Sequence, residues 1–414
     1  MAGHIACAVG GWVCASSGST LVVSDGVSAV AVPNAHGGVV VRSVFHFPAG
    51  KAPLLATVGD DKQLNLWRCD GGAAGALSVA RVGTYRLPRR PMNVSHARIA
   101  AAGAVHSTLV VGDRAGDVYA FSLDAVLAAW PSPASADAAD AASALPTRWM
   151  LGHTAAMVTA AMPVGGDASS GARAIVTADR EGKLRVSELP AASIIRCFCL
   201  GHNSVVTSLL MLDDRTLCSA SADGTIRVWD LATGAALQSH RIGGGDAASA
   251  VVVSALAYDA ALGVLAATCD GSGDVLVFKC AAETEGGAPR LRLLHTVGVG
   301  SGVREIAFTA GAPNSALLAL VDDGVVALEW DAGAERFSAS SAHALAALLR
   351  GVLSTPSAEE GAGAAETGGA AAAAMTTSRW SSAEFLPKQL ATRFDPAANV
   401  TNKRKKKRRK RNKV

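Results

Sequence analysis

SASADGTIRVWD, residues 219–230, sets two short alternating apolar runs on either side of an Asp223–Gly224 turn. Alternation with period two reads as a strand with one buried face, and a glycine in the turn supplies the left-handed conformation that a tight reversal needs. The same turn-then-strand unit recurs at TVGDDKQLNLW (57–67), VVGDRAGDVYAF (110–121), VTADREGKLRVS (176–187), ATCDGSGDVLVF (267–278) and LVDDGVVALEW (320–330). Gly116, Gly182, Gly224 and Gly273 each stand five residues before Phe121, Ser187, Trp229 and Phe278, a register that predicts one left-handed turn residue leading into each strand.

Between these anchors lie β-branched runs such as VVVRSVFHF (39–47), TSLLML (207–212), VVVSALAYD (251–259) and GVREIAFTA (302–310), and almost nothing before residue 330 has helical periodicity. Four-stranded units repeated at this period predict an all-β, seven-bladed β-propeller over 1–335, with blades at roughly 1–35, 36–72, 80–124, 150–190, 194–236, 237–281 and 290–332. Ring closure is expected to borrow a strand from one terminus. Two low-complexity stretches interrupt the pattern. The first, 129–146, is expected between the third and fourth units; the second fills a linker at 354–378. Residues 336–353 are expected to form a short helical or linking segment, and 379–414 a terminal motif with a disordered basic tail.

Composition narrows function. Half of the 414 residues are apolar and 17% are charged, enough for a large core. The net charge of +4 hides an asymmetry: Lys403, Arg404, Lys405, Lys406, Lys407, Arg408, Arg409, Lys410, Arg411 and Lys413 carry ten positive charges, and the remaining 28 basic residues face 34 acidic ones, a net −6. Polyanion binding or nuclear import therefore belongs to the tail, not to the body. The eight cysteines show no CxxC pair and no His at zinc-ligand spacing, so no metal is expected and reduced thiols suit the nucleus or cytoplasm. The stretch MAGHIACAVGGWVCASS has no basic n-region, and Gly10 and Gly11 break its apolar run, so neither a signal peptide nor a membrane span is expected.

No pattern supports catalysis. Gly243-Gly244-Gly245 lacks the lysine of a phosphate-binding loop, and no dinucleotide or S-adenosylmethionine fingerprint follows a strand. The fifth unit instead resembles a WD repeat, with Gly201-His202 at its start and then Ser219, Ser221, Asp223 and Trp229. In that family a His, a hydroxyl, the turn Asp and the Trp form a buried hydrogen-bond chain, here with the hydroxyl from Ser219 or Ser221. The fold is thus expected to be a WD40 propeller with a structural, not a catalytic, tetrad. The fourth unit keeps Gly152-His153, Thr177 and Asp179 but has Ser187 where the Trp would stand. Its network is incomplete, and the blade is expected to be held by something else, such as a partner. Lys183 and Arg185, two apart on one strand, form either a solvated edge or a docking patch for a carboxylate-bearing partner.

VVGDRAGDVYAFS (110–122), MLGH (150–153), VTADREGKLRVS (176–187), IIRCFCLGHNSVVTSLL (194–210) and SASADGTIRVWDLATG (219–234) together resemble the WD-repeat, non-catalytic subunit of the tRNA (guanine-N7)-methyltransferase; LPKQLATRFDPAANVTNKRKKKRRKR (386–411) is similar to that family's C-terminal segment in outline. The likeness covers residues 39–332 and the tail. It implies a heterodimer whose catalytic partner holds S-adenosylmethionine and methylates N7 of a guanine in the tRNA variable loop, while this chain binds no cofactor and stabilises the partner. It also implies that Lys183 and Arg185, with Arg180 beside them and Asp179 fixing the turn, pair with an acidic residue of that partner. On this reading Arg185→Leu weakens the complex and leaves the propeller folded. The tail is expected to direct the chain to the nucleus, to contact tRNA, or both. Two rival roles fit a WD propeller with a basic tail: a scaffold in nucleolar ribosome assembly, and a substrate receptor for ubiquitin ligation.

Overall fold

The computed structural model describes residues 3–7, 11–48, 51–72, 75–101, 103–128, 147–154, 156–166, 169–243, 251–282, 287–300, 302–309, 315–322, 324–340 and 343–353. Its 28 strands form seven four-stranded antiparallel sheets, each built from strands consecutive in the chain, at 3–32, 40–86, 91–152, 158–199, 206–241, 253–298 and 303–340. The protein is a seven-bladed β-propeller. The calls on the 354–378 linker, the 379–414 segment and the basic residues 403–413 lie outside the described residues, as does the 129–146 insertion.

The second strand of a blade is covered on both faces by neighbouring blades, and its sequence shows it. AIVTAD (Ala174–Asp179), TLCSAS (Thr216–Ser221), VLAATC (Val264–Cys269) and ALLALV (Ala316–Val321) are buried at every position, and small or apolar residues supply them. Outer strands face water and alternate or lie exposed, as at ALQSHR (Ala236–Arg241). The predicted left-handed glycines hold at Gly116 (φ 105°), Gly182 (φ 86°) and Gly224 (φ 77°). In the longer CDGSGD turn the left-handed residue is Gly271 (φ 71°), not Gly273.

Blade boundaries differ from the sequence expectation in one systematic way. After the first blade, each predicted unit closes at or before the start of the outer strand, whereas the sheets add that fourth strand in full, because the outer strand carries little apolar signal. The propeller accordingly runs past residue 335: Arg336–Ser340 is the last strand of blade 7, and a helix follows at Ala344–Leu353. The 129–146 insertion falls within blade 3, between its third strand (Asp117–Ser122) and its fourth (Thr147–Gly152), not between blades 3 and 4.

Among the described residues, ring closure borrows no strand. Blade 1 and blade 7 each have four strands of their own, so side chains must join them. Ile5, Val13, Ala15 and Val22 of blade 1 share one apolar cluster with Leu318, Leu320, Val325 and Ala327 of blade 7, and Ala346 and Leu349 of the terminal helix complete it. Nearer the axis the Glu305 carboxylate of blade 7 takes His4 Nδ1 of blade 1 at 2.8 Å and the Arg42 guanidinium of blade 2. Three innermost strands are thereby tied by one carboxylate.

Leu349 is fully buried in this seam. Leu349→Ala is expected to cost about 2–4 kcal/mol, read as a lower urea midpoint. An unchanged midpoint would show that the helix does not contribute to closure.

Candidate interaction site on blades 3 and 4

The fifth blade carries the tetrad in full. His202 Nδ1 meets Asp223 Oδ2 at 3.0 Å, His202 Nε2 meets Ser219 Oγ at 2.7 Å, and Trp229 Nε1 donates to the same Oγ at 2.8 Å. Asp223 also accepts the Asn203 and Thr225 N–H groups, tying the loop entering the blade to the turn within it. Ser221 stands outside the chain: its hydroxyl donates to Ser204 O at 3.2 Å and accepts the Asp223 N–H. Burial pushes the Asp223 carboxyl up, but the His202 ring, the Thr225 hydroxyl and the Asn203 N–H outweigh it and hold the group well below the usual carboxylate range.

A second complete tetrad, in blade 2, was not read from the sequence. His36 Nδ1 meets Asp61 at 3.0 Å, His36 Nε2 meets Thr57 at 2.8 Å, and Trp67 Nε1 donates to Thr57 at 2.8 Å. Thr57, Asp61 and Trp67 repeat the spacing of Ser219, Asp223 and Trp229, and this was the available signal; an Ala35-His36 start and a longer first strand masked it.

Blade 4 solves the same problem differently. His153 Nε2 meets Thr177 at 2.8 Å, but its Nδ1 reaches Asp179 at 3.2 Å, at the end of the second strand and not in the turn proper. Asp179 Oδ1 accepts the Glu181 and Lys183 N–H groups, so this carboxylate both fixes the turn and orients the histidine. Burial raises its pKa, but the His153 hydrogen bond and these N–H donors together lower it by more, so the net shift is downward. Ser187 offers no ring. Arg185 Nε donates to Ser187 Oγ at 2.8 Å, while its terminal nitrogens donate to Gly152 O at 3.3 Å and Ala192 O at 3.0 Å.

The structure therefore does not bring Lys183 and Arg185 into one patch. Lys183 precedes the third strand (Leu184–Glu188), is exposed and pairs with Glu181 at 2.8 Å; Arg180 is half-buried in the same turn; Arg185 turns inward. What lies open is apolar. On and beside the outer strand of blade 4 (Ile195–Cys199), Ile194, Ile195, Phe198 and Leu200 are exposed, and Trp149 on the outer strand of blade 3 is 56% exposed, its indole N–H held by Asp117 at 2.9 Å. These are five of the eight exposed large hydrophobic residues among those described, gathered on two adjoining blades, which marks an interaction surface. The IIRCFCL run carried this in its sequence, but only the tertiary structure shows that its strand is an outer one.

Other polar groups offer little chemistry. The Ser107 hydroxyl lies between His96 Nε2 (2.9 Å) and His46 Nε2 (3.2 Å), resembling a nucleophile with bases. Burial and the Arg98 charge lower the His46 pKa, and burial, His46 and Arg98 bring His96 down to about 3, so the His96 ring is a poor base near neutral pH. A cleft of about 550 Å³ between blades 4 and 5 is lined by Arg173, Arg196 and Arg215 together with Asp214, but Glu188 answers Arg196 and Asp230 answers Arg215. Among the described residues no three His, Cys, Asp or Glu side chains are grouped to hold a metal.

Residues 128–325 match the family described as tRNA methyltransferase TRM82 WD40 domain. The chain is 30% identical over 230 residues to the tRNA (guanine-N(7)-)-methyltransferase non-catalytic subunit wuho of Drosophila yakuba, covering 54% of this chain and 43% of that protein. It is 38% identical over 87 residues to the protein of the same name from Anopheles gambiae, covering 21% of each. The chain thus spans less than half the length of these relatives. Saccharomyces cerevisiae Sqt1 superposes with a TM-score of 0.54 at 12% identity, over 79% of this chain and 81% of that one, a likeness of fold alone.

Two predictions follow from the tetrads. Trp67→Phe and Trp229→Phe each remove one buried donor and are expected to cost about 1 kcal/mol by similar amounts in urea titrations; a clear inequality would show that the two blades are not held alike. The folded-state pKa of Asp223 lies below the unfolded value of about 3.9, so its contribution is complete above that pH and is lost as pH falls through the folded value. Between pH 5 and pH 3, on the order of two units, the urea midpoint of wild type should fall more steeply than that of Asp223→Asn; parallel curves would refute the assignment.

Proposed function

We propose, from the match of residues 128–325 to the family described as tRNA methyltransferase TRM82 WD40 domain, that the chain is the non-catalytic subunit of a heterodimeric tRNA (guanine-N7)-methyltransferase. The observation that carries the reading is the coincidence of two independent features on one surface. The stretch from VTADREGKLRVS to IIRCFCLGH lies within the matched residues 128–325, and the same stretch carries the exposed apolar row of blade 4. A strand that exposes Ile195 and Phe198 between exposed Ile194 and Leu200 calls for a partner to cover it.

On this reading the chain docks the catalytic subunit along blades 3 and 4, the partner binds S-adenosylmethionine, and the complex presents tRNA for methylation at guanine N7. The apolar row and Trp149 supply the buried centre of the interface; Lys183 and Arg180 stand at its rim, where charge governs encounter more than lifetime. Asp179 serves by shaping the turn that carries them. The basic run 403–413 serves nuclear import and gives the complex a salt-sensitive hold on tRNA phosphates.

Co-expression with a candidate methyltransferase subunit, followed by assay of N7-methylguanine in tRNA with each chain alone as control, tests the proposal. Activity is expected only with both chains. A propeller that neither captures the enzyme nor raises its activity would overturn it. Phe198→Asp should abolish capture while the melting temperature of the isolated chain stays within about 2 °C of wild type. Lys183→Ala should slow association and flatten its salt dependence with little change in dissociation.

A further inference from the structure

Arg185 faces Thr177 across the second and third strands of blade 4, the register in which Arg227 faces Ser219 in blade 5. The two arginines behave differently. In blade 5 the Arg227 guanidinium rests 5.8 Å from the centre of the Trp229 ring, and the indole makes the hydrogen bond to Ser219. In blade 4 there is no indole, and the Arg185 guanidinium lies on Ser187, at the tetrad Trp position, with its forked nitrogens on two backbone carbonyls. Those carbonyls belong to separate places. Gly152 ends the outer strand of blade 3; Ala192 lies in the link that feeds the outer strand of blade 4 and packs, 3% exposed, with Met150 and Leu151 of blade 3. Arg148 of blade 3 reaches the neighbouring Pro190 O at 3.3 Å, so the link leans on blade 3 at more than one point.

We propose that Arg185 is a strut: its guanidinium replaces the missing tetrad indole of blade 4, staples the outer strand of blade 3 to the link before the outer strand of blade 4, and so positions the exposed apolar row. A planar fork with five N–H donors can serve a hydroxyl and two carbonyls together, which a lysine ammonium at the end of a flexible stem cannot do from the same backbone position. The inference does not depend on which partner covers the row.

The test uses the purified full chain with no partner present. Arg185→Leu is expected to lower the melting temperature by on the order of 5 °C. Amide hydrogen exchange should rise together over 147–152 and 189–195 and stay unchanged in blades 1, 6 and 7. Adding Ser187→Trp to that variant should recover most of the loss, because an indole at 187 can donate to Thr177 as Trp229 does to Ser219. A melting temperature within about 1 °C of wild type, exchange unchanged in either segment, or no recovery in the double variant would overturn the strut. Should Arg185→Leu fail to accumulate, Arg185→Lys is read instead. An intermediate melting temperature with the exchange rise confined to one of the two segments supports the strut, and a variant indistinguishable from wild type overturns it.

Discussion

Every sheet of this ring has two faces to bury, and each can be buried only against a neighbour, so the fold depends on the contact that joins the last blade to the first. Among the described residues, no hydrogen-bonded strand crosses that gap. Closure falls to an apolar cluster drawn from blades 1 and 7, to the terminal helix that completes it, and to the Glu305 carboxylate shared by His4 and Arg42. A part-buried carboxylate paired with a guanidinium is costly to strand, so these inner strands are fixed relative to one another more by the penalty for separating them than by net attraction.

Within each blade the same logic is local. A loop must enter, reverse and be held with its polar groups satisfied away from water. Blades 2 and 5 do this with a histidine, a hydroxyl, a carboxylate and an indole; blade 4 keeps the first three and replaces the indole with an arginine that reaches outward to two carbonyls. An indole closes the network inside its own blade. An arginine extends it across the boundary between two blades, and that boundary is where the exposed apolar residues gather. Blade 4 thus joins the internal hydrogen-bond economy of the propeller to its interaction surface.

A seven-bladed propeller was legible before any coordinates, because the Asp–Gly turns and two-residue alternation are local and strong. The blade edges were not, since an outer strand such as ALQSHR has neither the apolar run nor the glycine that marks its neighbours. The same weakness moved the 129–146 insertion out of blade 3. The tetrad of blade 5 stood out because Gly-His and Trp-Asp flank it, whereas that of blade 2, with the same spacing from Thr57 to Trp67, reads Ala35-His36 and Trp67-Arg68.

The sequence by itself determined the all-β repeat, the left-handed turns at Gly116, Gly182 and Gly224, and the role of His202, Ser219, Asp223 and Trp229, all of which follow from short-range spacing. Tertiary structure decided how the ring closes, which strands are outermost, and where the Arg185 side chain goes. Those depend on what lies across a blade boundary: Lys183 and Arg185 are two residues apart in the chain, yet one meets Glu181 at the surface and the other meets the carbonyls of Gly152 and Ala192. Strand periodicity assigns a side chain to a face, but only the neighbouring blade determines whether that face meets water or an acceptor.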